Sequence, residues 1–397
     1  MDFTAKTFAG LEEVLSNEIK ALGAKNIEVG RRAVTFSGDK RLLYKANLSL
    51  RTALRILMPI KSFKVSSIDD VYNGVRCIEW DNIFPVEKTF LIEQTVYSDI
   101  VSNTRYATYK AKDAIADYFN EKYGKRPNVS VANPDIFINL HISNNNCIVS
   151  LDSSGEPLYK RGYRVAQTTA PMNEVLAAGL VLLSGWDGKS NFMDPMCGSG
   201  TIAIEAALIA RNIAPGIFRK HFAFENWNDF DADLLDELYN DDSAEIEFKH
   251  KIYASDINRA AVEVARRNIA AASVSKNIEL KVSDFMELTP PPSPLCIITN
   301  PPYGERIKAD VEKLYSDMGS TLKHKYTDTT CHIISSSREG FNSLGLKPSS
   351  NLKIFNSEIE CEYRSYRIFG GKFRDFKKSQ NFNRTSKEAK KPLKPRR

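Results

Sequence analysis

Residues 192–211 read FMDPMCGSGTIAIEAALIAR, an apolar strand followed by a glycine-rich turn and an apolar helix. We predict the strand over 192–196 and the helix over 201–211. Glycines allow a tight turn and a close approach of the backbone to a ligand, and a helix N-terminus offers unpaired N–H groups. A ligand-binding turn and a plain strand-to-helix turn are the two alternatives at this point. The candidate ligand-binding residues are Asp194, Cys197, Gly198, Ser199, Gly200 and Thr201.

The alternation of strands and helices continues on both sides of this turn. Periodicity predicts strands over 251–255, 278–282, 294–299 and 331–335, and helices over 172–183, 259–272 and 311–324. Such alternation indicates an α/β fold with a doubly wound, mostly parallel sheet covered on both faces. The last two strands, over 353–355 and 361–369, leave no room for a helix between them. We therefore expect an antiparallel hairpin at one edge of the sheet.

The spacing after the turn excludes an uninterrupted dinucleotide-binding unit. The glycines satisfy the loose dinucleotide fingerprint, which expects an acidic residue about 20 positions later. The next acid at a strand end is Asp256, which lies 56 positions (256 − 200) beyond Gly200. We interpret residues 211–249 as an insertion.

Two acidic residues end the next two predicted strands. Asp256 would accept hydrogen bonds from ribose hydroxyls, and capping of the following helix is its alternative role. Asp284 would accept a hydrogen bond from an adenine amino group, with Phe285 against the ring, and a simple turn is the alternative there. Together with the glycine turn, these strand ends lie at the edge where open sheets bind ligands.

The sequence Asn300-Pro301-Pro302-Tyr303 directly follows an apolar predicted strand. Two prolines fix φ and remove N–H donors, so the loop presents carbonyl oxygens from a stiff frame. The Asn300 side chain and the Pro301 carbonyl group would accept hydrogen bonds from a planar amine, which draws its nitrogen toward tetrahedral geometry before attack on a methyl group. Tyr303 would stack on the base. These four residues are the predicted catalytic site, and a proline-rich turn is the alternative.

The four motifs resemble motifs I to IV of the class I S-adenosylmethionine-dependent amino-methyltransferases. Longer strings are similar to a narrower family, the 23S rRNA guanine-N2 methyltransferases that carry an N-terminal THUMP domain. The strings are LYKRGYR at 158–164, APMNE at 170–174, AFENW at 223–227 and NPPYGER at 300–306. The resemblance extends to about residue 372 and is weakest in the first 150 residues. Some relatives fuse a second methyltransferase, whereas this chain ends in a basic tail, so we expect a single methyltransferase domain.

This resemblance implies a Rossmann-like methyltransferase domain with S-adenosylmethionine as its cofactor. It implies that the glycine turn holds the methionine part, Asp256 the ribose, and Asp284 with Phe285 the adenine. Pro171 would belong to a segment that closes over the cofactor, whereas no role follows for Arg164 or Glu174. The implied cofactor-binding residues are Pro171, Asp194, Cys197, Gly198, Ser199, Gly200, Thr201, Asp256, Ile257, Asp284, Phe285 and Asn300.

The first 171 residues alternate helical and strand patterns, as in an α+β region. By the same resemblance, residues 1–45 are a ferredoxin-like piece and residues 46–157 a THUMP RNA-binding domain. Residues 158–371 are then the methyltransferase domain, and residues 372–397 a disordered basic tail.

Composition is that of an ordinary globular protein, with 42% hydrophobic and 26% charged residues among 397 and a net charge of +6. The charge divides into +4 for residues 1–171, −7 for residues 172–371 and +9 for residues 372–397. A basic tail suits polyanions, with a solubilising role as the alternative. We expect no signal peptide and no membrane span, because no apolar run is long enough. Six scattered cysteines indicate a reducing cytoplasm and argue against a zinc site or disulfide framework.

We therefore predict methyl transfer to the N2 amine of a guanosine in 23S rRNA. The partner would be the RNA itself or a large-subunit assembly intermediate. We expect the protein to be a monomer that binds no metal and no membrane. Adenine N6 in DNA or RNA, guanine N2 in tRNA and a protein glutamine remain alternatives, because each is a planar amine. A non-enzymatic RNA-binding or assembly factor is a further alternative, and the intact Asn300 loop and Asp256 argue against it.

Overall fold

The computed structural model describes residues 1–101, 103–168, 171–302, 308–356 and 358–370. Two seven-stranded sheets organise this part of the chain. The first sheet is formed by residues before 153, and the strands around the glycine turn belong to the second sheet. Among the described residues, no helix combines the length and the apolarity needed to cross a bilayer.

The N-terminal sheet has the strand order β2-β3-β1-β4-β7-β6-β5. It is antiparallel except for the parallel pair β5 and β6. The strands are β1 (Asp2–Lys6), β2 (Lys25–Gly30), β3 (Ala33–Ser37), β4 (Arg55–Lys64), β5 (Phe90–Tyr97), β6 (Ile136–Ser143) and β7 (Asn146–Asp152). The helices of this region are α1 (Glu12–Ala21), α2 (Lys40–Ser49), α3 (Ile68–Arg76) and α4 (Thr104–Tyr123).

Local chemistry explains where the helices of this region begin and end. Helix α4 begins where the Asn103 side chain accepts a hydrogen bond from the Tyr106 N–H, and it ends at Gly124 with a left-handed backbone. Helix α2 ends at Ser49, and the N–H groups of residues 51 and 52 donate to the half-buried Glu18 carboxylate. The sequence pattern did not predict β1, α3 or two short helices in the second half of the chain.

The C-terminal sheet has the strand order β10-β9-β8-β11-β12-β14-β13. Its strands are β8 (Asn191–Asp194), β9 (Ile252–Asp256), β10 (Ile278–Val282), β11 (Leu295–Thr299), β12 (Thr329–Ser335), β13 (Ser350–Asn356) and β14 (Ile359–Ile368). The first five strands in this order are parallel, and β14 is antiparallel to both of its neighbours. The predicted doubly wound parallel sheet with an antiparallel edge hairpin is confirmed.

Helices cover both faces of this sheet, and alternate residues of its central strand face two different helix-covered cores. On β11, Cys296 and Ile298 belong to one core together with α5 (Glu174–Leu183), α6 (Thr201–Ala210) and α8 (Arg259–Ala271). Leu295 and Ile297 face the opposite core, together with α9 (Lys308–Lys325) and α10 (Arg338–Ser343). Every residue of β11 is buried, which is typical of a central strand in a parallel sheet.

The insertion between α6 and β9 packs on the N-terminal region. It contains α7 (Ala232–Tyr239), whose Glu237 receives two hydrogen bonds of 2.7 and 2.8 Å from Arg41. The rings of Phe224 and Tyr44 stack at 4.1 Å between centroids. The Arg219 guanidinium donates to four carbonyl oxygens of residues 154–160. The insertion therefore joins the two halves of the molecule into one packed unit.

Candidate active site

The candidate site lies where the order of the C-terminal sheet reverses. From β8 the chain continues to β9 and β10 on one side, and it then crosses to β11 and β12 on the other. Open α/β sheets bind ligands outside the carboxyl ends of their strands at such a point. The predicted site residues that the structure describes at the ends of β8, β9, β10 and β11 lie at this edge.

The glycine turn connects β8 to α6 and has a fixed shape. Its backbone is held by hydrogen bonds of 2.8 Å from the Cys197 N–H to the Ser255 carbonyl oxygen and from the Gly200 N–H to the Cys197 carbonyl oxygen. Gly200 has a φ of +81°, and a Cβ atom there would stand 3.1 Å from the Cβ atom of Ala265 on α8. Gly198 has a φ of +53°, and a Cβ atom there would meet nothing within 4 Å. Glycine at 200 thus permits close helix packing, and the backbone at Gly198 is open to a ligand.

Asp256 ties the turn to the neighbouring strand. One carboxylate oxygen accepts a hydrogen bond from the Gly198 N–H and the other from the Asn258 N–H, both at 2.9 Å. The capping of α8 belongs to Asn258, whose side chain accepts from Ala260 and Ala261. Each carboxylate oxygen of Asp256 retains a further lone pair. Asp256 therefore positions the turn and can still accept hydrogen bonds from ribose hydroxyls.

Asp194 is a buried carboxyl group with no cationic partner in the described ranges. Its residue is 1% exposed, and neither carboxyl oxygen has a hydrogen bond of ordinary geometry to the described residues. Burial raises its pKa well above the usual range, the nearby Asp256 raises it further, and the Met196 N–H opposes the shift. Two neighbouring carboxyl groups, one of them buried without a hydrogen-bond partner among the described residues, favour a ligand that carries hydrogen-bond donors.

The predicted adenine and ribose positions at β9 and β10 differ in their exposure. Ile257 is 70% exposed directly beyond β9 and offers an apolar surface at the site edge. Asp284 accepts a hydrogen bond from the Met286 N–H at 2.9 Å, and this turn directs Phe285 into the core. The Phe285 ring is 2% exposed and lies 5.3 Å from the ring of Tyr326. The Phe285 ring therefore packs in the core, and its position against the adenine ring stays a prediction.

Asn300 follows β11, the strand beside β8. Its side-chain oxygen is buried and has no hydrogen-bond partner among the described residues, and the same is true of the Thr299 hydroxyl. Pro301 is buried and Pro302 exposed, so the chain leaves the sheet directly after Asn300. Tyr303 lies outside the described residues. A buried, unpaired acceptor costs free energy unless a ligand supplies a donor.

Arg164 joins three segments around the glycine turn. Its guanidinium donates to the Glu174 carboxylate at 2.7 Å and to the Met172 carbonyl oxygen at 2.9 Å. It also donates to the hydroxyls of Ser199 and Thr201 at 3.1 and 3.0 Å. The side chains of Arg164 and Glu174 are 11% and 5% exposed. This pair therefore holds the segment after Pro171 against the turn, a role that the sequence did not reveal.

Two other buried polar residues support the turn and were also missed. Asn268 on α8 accepts hydrogen bonds from the N–H groups of Val165 and Ala166 and donates to the carbonyl oxygens of Ala166 and Ser199. Glu205 on α6 accepts from the Tyr163 hydroxyl at 2.8 Å. Both are polar residues at apolar positions of their helices, and that mismatch was the signal available in the sequence.

Family models match three consecutive parts of the chain. A model of the RlmL ferredoxin-like domain matches residues 2–57, and a THUMP model matches residues 65–152. A model of the RMKL-like methyltransferase domain matches residues 161–365, which include every strand end described above. The chain belongs to the RMKL-like methyltransferase family. The predicted ferredoxin-like, THUMP and class I methyltransferase architecture is confirmed.

Individual relatives of the RMKL-like chain agree with this assignment. The ribosomal RNA large subunit methyltransferase K/L of Psychromonas ingrahamii is 36% identical over 379 residues, which are 93% of this chain and 50% of that protein. The chain thus spans about half the length of this curated relative. The methyltransferase SMU.472, solved with SAH, is 29% identical with a TM-score of 0.84, over 94% of this chain and 99% of that chain. A predicted N6-adenine-specific DNA methylase from Listeria monocytogenes str. 4b F2365 is 28% identical with a TM-score of 0.84, over 92% and 96%.

The residues present fit S-adenosylmethionine, the cofactor of this methyltransferase family. The cofactor carries a sulfonium and an ammonium group. The Asp256 carboxylate supplies negative charge, and the Asp194 carboxyl supplies buried oxygens that have no hydrogen-bond partner among the described residues. The open backbone at Gly198 allows close approach of a ligand. Among the described residues, no group of three or more His, Cys, Asp or Glu side chains could hold a metal ion.

We expect Asp256→Ala to weaken cofactor binding ten- to a hundredfold, because hydrogen bonds to a charged group contribute about 1.5–3 kcal/mol. Isothermal titration calorimetry with S-adenosylmethionine measures the change. Glu279→Ala is the matched control, because Glu279 is an exposed carboxylate within β10. A 2′,3′-dideoxy analogue of the cofactor separates the two roles of Asp256. If the wild type and Asp256→Ala lose the same affinity for that analogue, Asp256 does not contact the ribose.

Proposed function

We propose that this chain transfers a methyl group from S-adenosylmethionine to the N2 amine of a guanosine in 23S rRNA. The observation that carries the proposal is the buried side-chain oxygen of Asn300, which follows the strand beside the glycine turn and has no hydrogen-bond partner among the described residues. An amide oxygen in this position accepts a hydrogen bond from an amine but has no charge with which to remove a proton. A planar amine suits such a group better than a hydroxyl, whose deprotonation needs a base.

When bound, the cofactor supplies an electrophilic methyl group on a positively charged sulfur. The Asn300 side chain and the Pro301 carbonyl oxygen accept hydrogen bonds from the two amine hydrogens, which orients the nitrogen lone pair. Positioning of this kind supplies about 7–11 kcal/mol of a reaction barrier. The amine loses its proton to solvent after the new bond forms, because alkylation makes that proton acidic. Arg164 and Asp256 hold the turn that bears the reacting partner.

RNA as the substrate is supported by the THUMP match and by the name of the Psychromonas ingrahamii relative, a ribosomal RNA methyltransferase. That relative is about twice as long as this chain. We therefore propose its activity and its substrate for this chain. We further propose that the region predicted as the THUMP domain, residues 46–157, docks the RNA. The nucleotide itself, guanine at N2, is inferred from the family resemblance of the motifs.

Other planar amines remain competing substrates. The relative from Listeria monocytogenes is a predicted N6-adenine-specific DNA methylase. The same Asn300 geometry would accept an adenine amine. A guanine in tRNA and a protein glutamine present an equivalent group.

The experiment offers the purified chain all four substrate classes with methyl-tritiated S-adenosylmethionine. We expect the label in 23S rRNA from a strain that lacks the gene, and N2-methylguanosine as the labelled nucleoside by mass spectrometry. The same RNA from the parent strain is the control, because its site is already methylated. Labelled N6-methyladenosine would show that the target base is adenine and not guanine. Label in DNA, tRNA or protein alone would refute the rRNA proposal.

A further inference from the structure

A cleft of about 940 Å³ separates the N-terminal region from the methyltransferase domain, next to the candidate active site. Its N-terminal wall is formed by residues 132–134, by Phe137 on β6 and by residues 154–156. The opposite wall is formed by residues 218–223 of the insertion, and one end is formed by residues 171–174. We name it the interdomain cleft. Its volume is at the upper end of the range of ordinary ligand pockets.

The charge of the interdomain cleft differs from that of its surroundings. Its lining contains five Lys and Arg residues and only two acidic residues, although residues 172–371 carry a net charge of −7. Both acids are paired, Glu174 with Arg164 and Glu156 with Lys160, and Arg161 lies 3.5 Å from the buried Glu205. The cations that remain are Arg219 and Lys220 on the insertion wall. Lys220 is exposed on the insertion wall. Arg219 binds only carbonyl oxygens, so no carboxylate neutralises its charge through these bonds.

Aromatic rings line the same cleft as these cations. Phe137, Tyr159 and Phe218 are half-buried and lie on its two walls and along the segment between them. Cationic side chains that follow a backbone, together with exposed aromatic faces, are the features by which proteins bind single-stranded nucleic acid. A duplex keeps its bases stacked inside and cannot offer them to rings within a cleft.

The walls of the interdomain cleft are fixed relative to each other. Gly162 has a φ of +108°, and a Cβ atom there would lie 2.0 Å from the Phe218 carbonyl oxygen. The Phe224 N–H donates to the Ser153 carbonyl oxygen at 3.2 Å, and Lys88 donates to the Asn226 side chain at 2.8 Å. A cleft that is formed before binding spares the ligand the cost of ordering its walls.

We propose that the interdomain cleft binds a single-stranded segment of the RNA substrate, with its phosphates toward Lys220 and its bases on the aromatic rings. The strand would run from the N-terminal region to residues 171–174, which Arg164 connects to the glycine turn. The target base would thereby arrive unpaired at the candidate active site. This inference rests on the proposed function, because it names how that same site receives its RNA.

Charge reversal of Lys220 tests the proposal. The full-length chain, saturated with S-adenosylhomocysteine, is titrated against a fluorescein-labelled 12-nucleotide single-stranded RNA, and anisotropy is recorded between 50 and 300 mM salt. We expect Lys220→Glu to weaken binding about tenfold and to reduce the salt slope by about 0.7 for each phosphate contact that is lost. Phe137→Leu, which keeps an apolar side chain but removes the ring, should weaken binding about tenfold with the salt slope unchanged.

Lys189→Glu is the matched control, because Lys189 is an exposed lysine just before β8, at the opposite end of the sheet. Calorimetry with S-adenosylhomocysteine verifies that each variant keeps its cofactor site. The proposal is overturned if Lys220→Glu binds the RNA within twofold of wild type, if Lys189→Glu loses as much, or if a duplex of the same sequence binds as tightly.

Methylation assays on the same proteins separate this proposal from the proposed function. A wild-type chain that methylates rRNA but shows no dependence on Lys220 overturns the interdomain-cleft proposal alone. A wild-type chain that binds the single strand through Lys220 but leaves 23S rRNA unmethylated overturns the proposed function alone.

Discussion

Asn300→Ala should lower kcat for methyl transfer by about 10²–10³-fold while cofactor binding stays within twofold of wild type. The side-chain oxygen of Asn300 is buried and has no hydrogen-bond partner within the described part of the chain, so folding already holds an acceptor where the amine would arrive. Removal of one such preorganised hydrogen-bonding group typically lowers kcat by about this factor. Single-turnover transfer of tritiated methyl groups to 23S rRNA measures the chemical step, and calorimetry measures cofactor affinity.

Asn277→Ala is the control for loss of an asparagine side chain. Asn277 directly precedes β10, at the amino-terminal end of the same sheet, away from the strand ends that form the site. Its variant should match wild type in both measurements. Equal losses of kcat and cofactor affinity in Asn300→Ala would mean that Asn300 belongs to the cofactor site and has no separate role in activating the amine.

The positions of the strand ends could be predicted because each depends on a short pattern. An apolar strand followed by Gly198 or Asn300 determines where the chain leaves the sheet, and parallel strands bring their carboxyl ends to one edge. The direction of Phe285 could not be predicted in this way. The Asp284 side chain caps the Met286 N–H, and that local hydrogen bond directs the ring into the core.

The supporting contacts of the turn could not be read from the sequence for a different reason. Arg164 contacts residues 35 and 37 positions away, and Asn268 contacts residues about 70 and 100 positions away. No periodic pattern encodes which distant segment a buried polar side chain will meet. The insertion was recognised by spacing, yet its packing on the N-terminal region depends on the meeting of Tyr44 with Phe224.

The packing of the insertion also relates the two halves of the chain to the proposed reaction. Arg161, at the start of the methyltransferase domain, is 2% exposed and donates to the carbonyl oxygens of Leu158 and Arg51. Its neighbour Glu205 lies on α6, the helix that begins at the glycine turn. The N-terminal region is therefore attached to the same helix that positions the cofactor turn. Docking of RNA on that region would place its bound strand in a fixed relation to the turn.

Arg164 provides the second large effect, because its removal leaves a buried charge. Arg164→Met would leave the Glu174 carboxylate, 5% exposed, without its cation. Loss of one partner of a buried ion pair typically costs about 3–5 kcal/mol of unfolding free energy. The double variant Arg164→Met with Glu174→Gln removes that charge, and we expect it to regain most of the stability in urea titrations.

Cofactor affinity should not recover in the double variant. The hydrogen bonds from Arg164 to the Ser199 and Thr201 hydroxyls and to the Met172 carbonyl oxygen remain lost, so the segment after Pro171 is no longer held against the turn. Arg164→Lys isolates this role, because a lysine keeps the charge beside Glu174 but cannot bond all three segments at once. We expect it to unfold within about 1 kcal/mol of wild type, as expected when the ion pair is retained, and to bind the cofactor about tenfold more weakly, a loss of about 1.4 kcal/mol.

Arg364 is the matched control for the loss of an ion-paired, half-buried arginine. It donates to the Glu362 carboxylate at 2.7 Å from its Nε atom, as Arg164 does to Glu174, but it lies on β14, two strands away from β11 in the sheet. Arg364→Met should lower stability and leave cofactor affinity unchanged. Because Arg164→Lys keeps its charge, an affinity equal to wild type in that variant would assign Arg164 to stability alone. A tenfold loss of cofactor affinity in the Arg164 variants, with none in Arg364→Met, would establish Arg164 as a positioning residue for the cofactor turn.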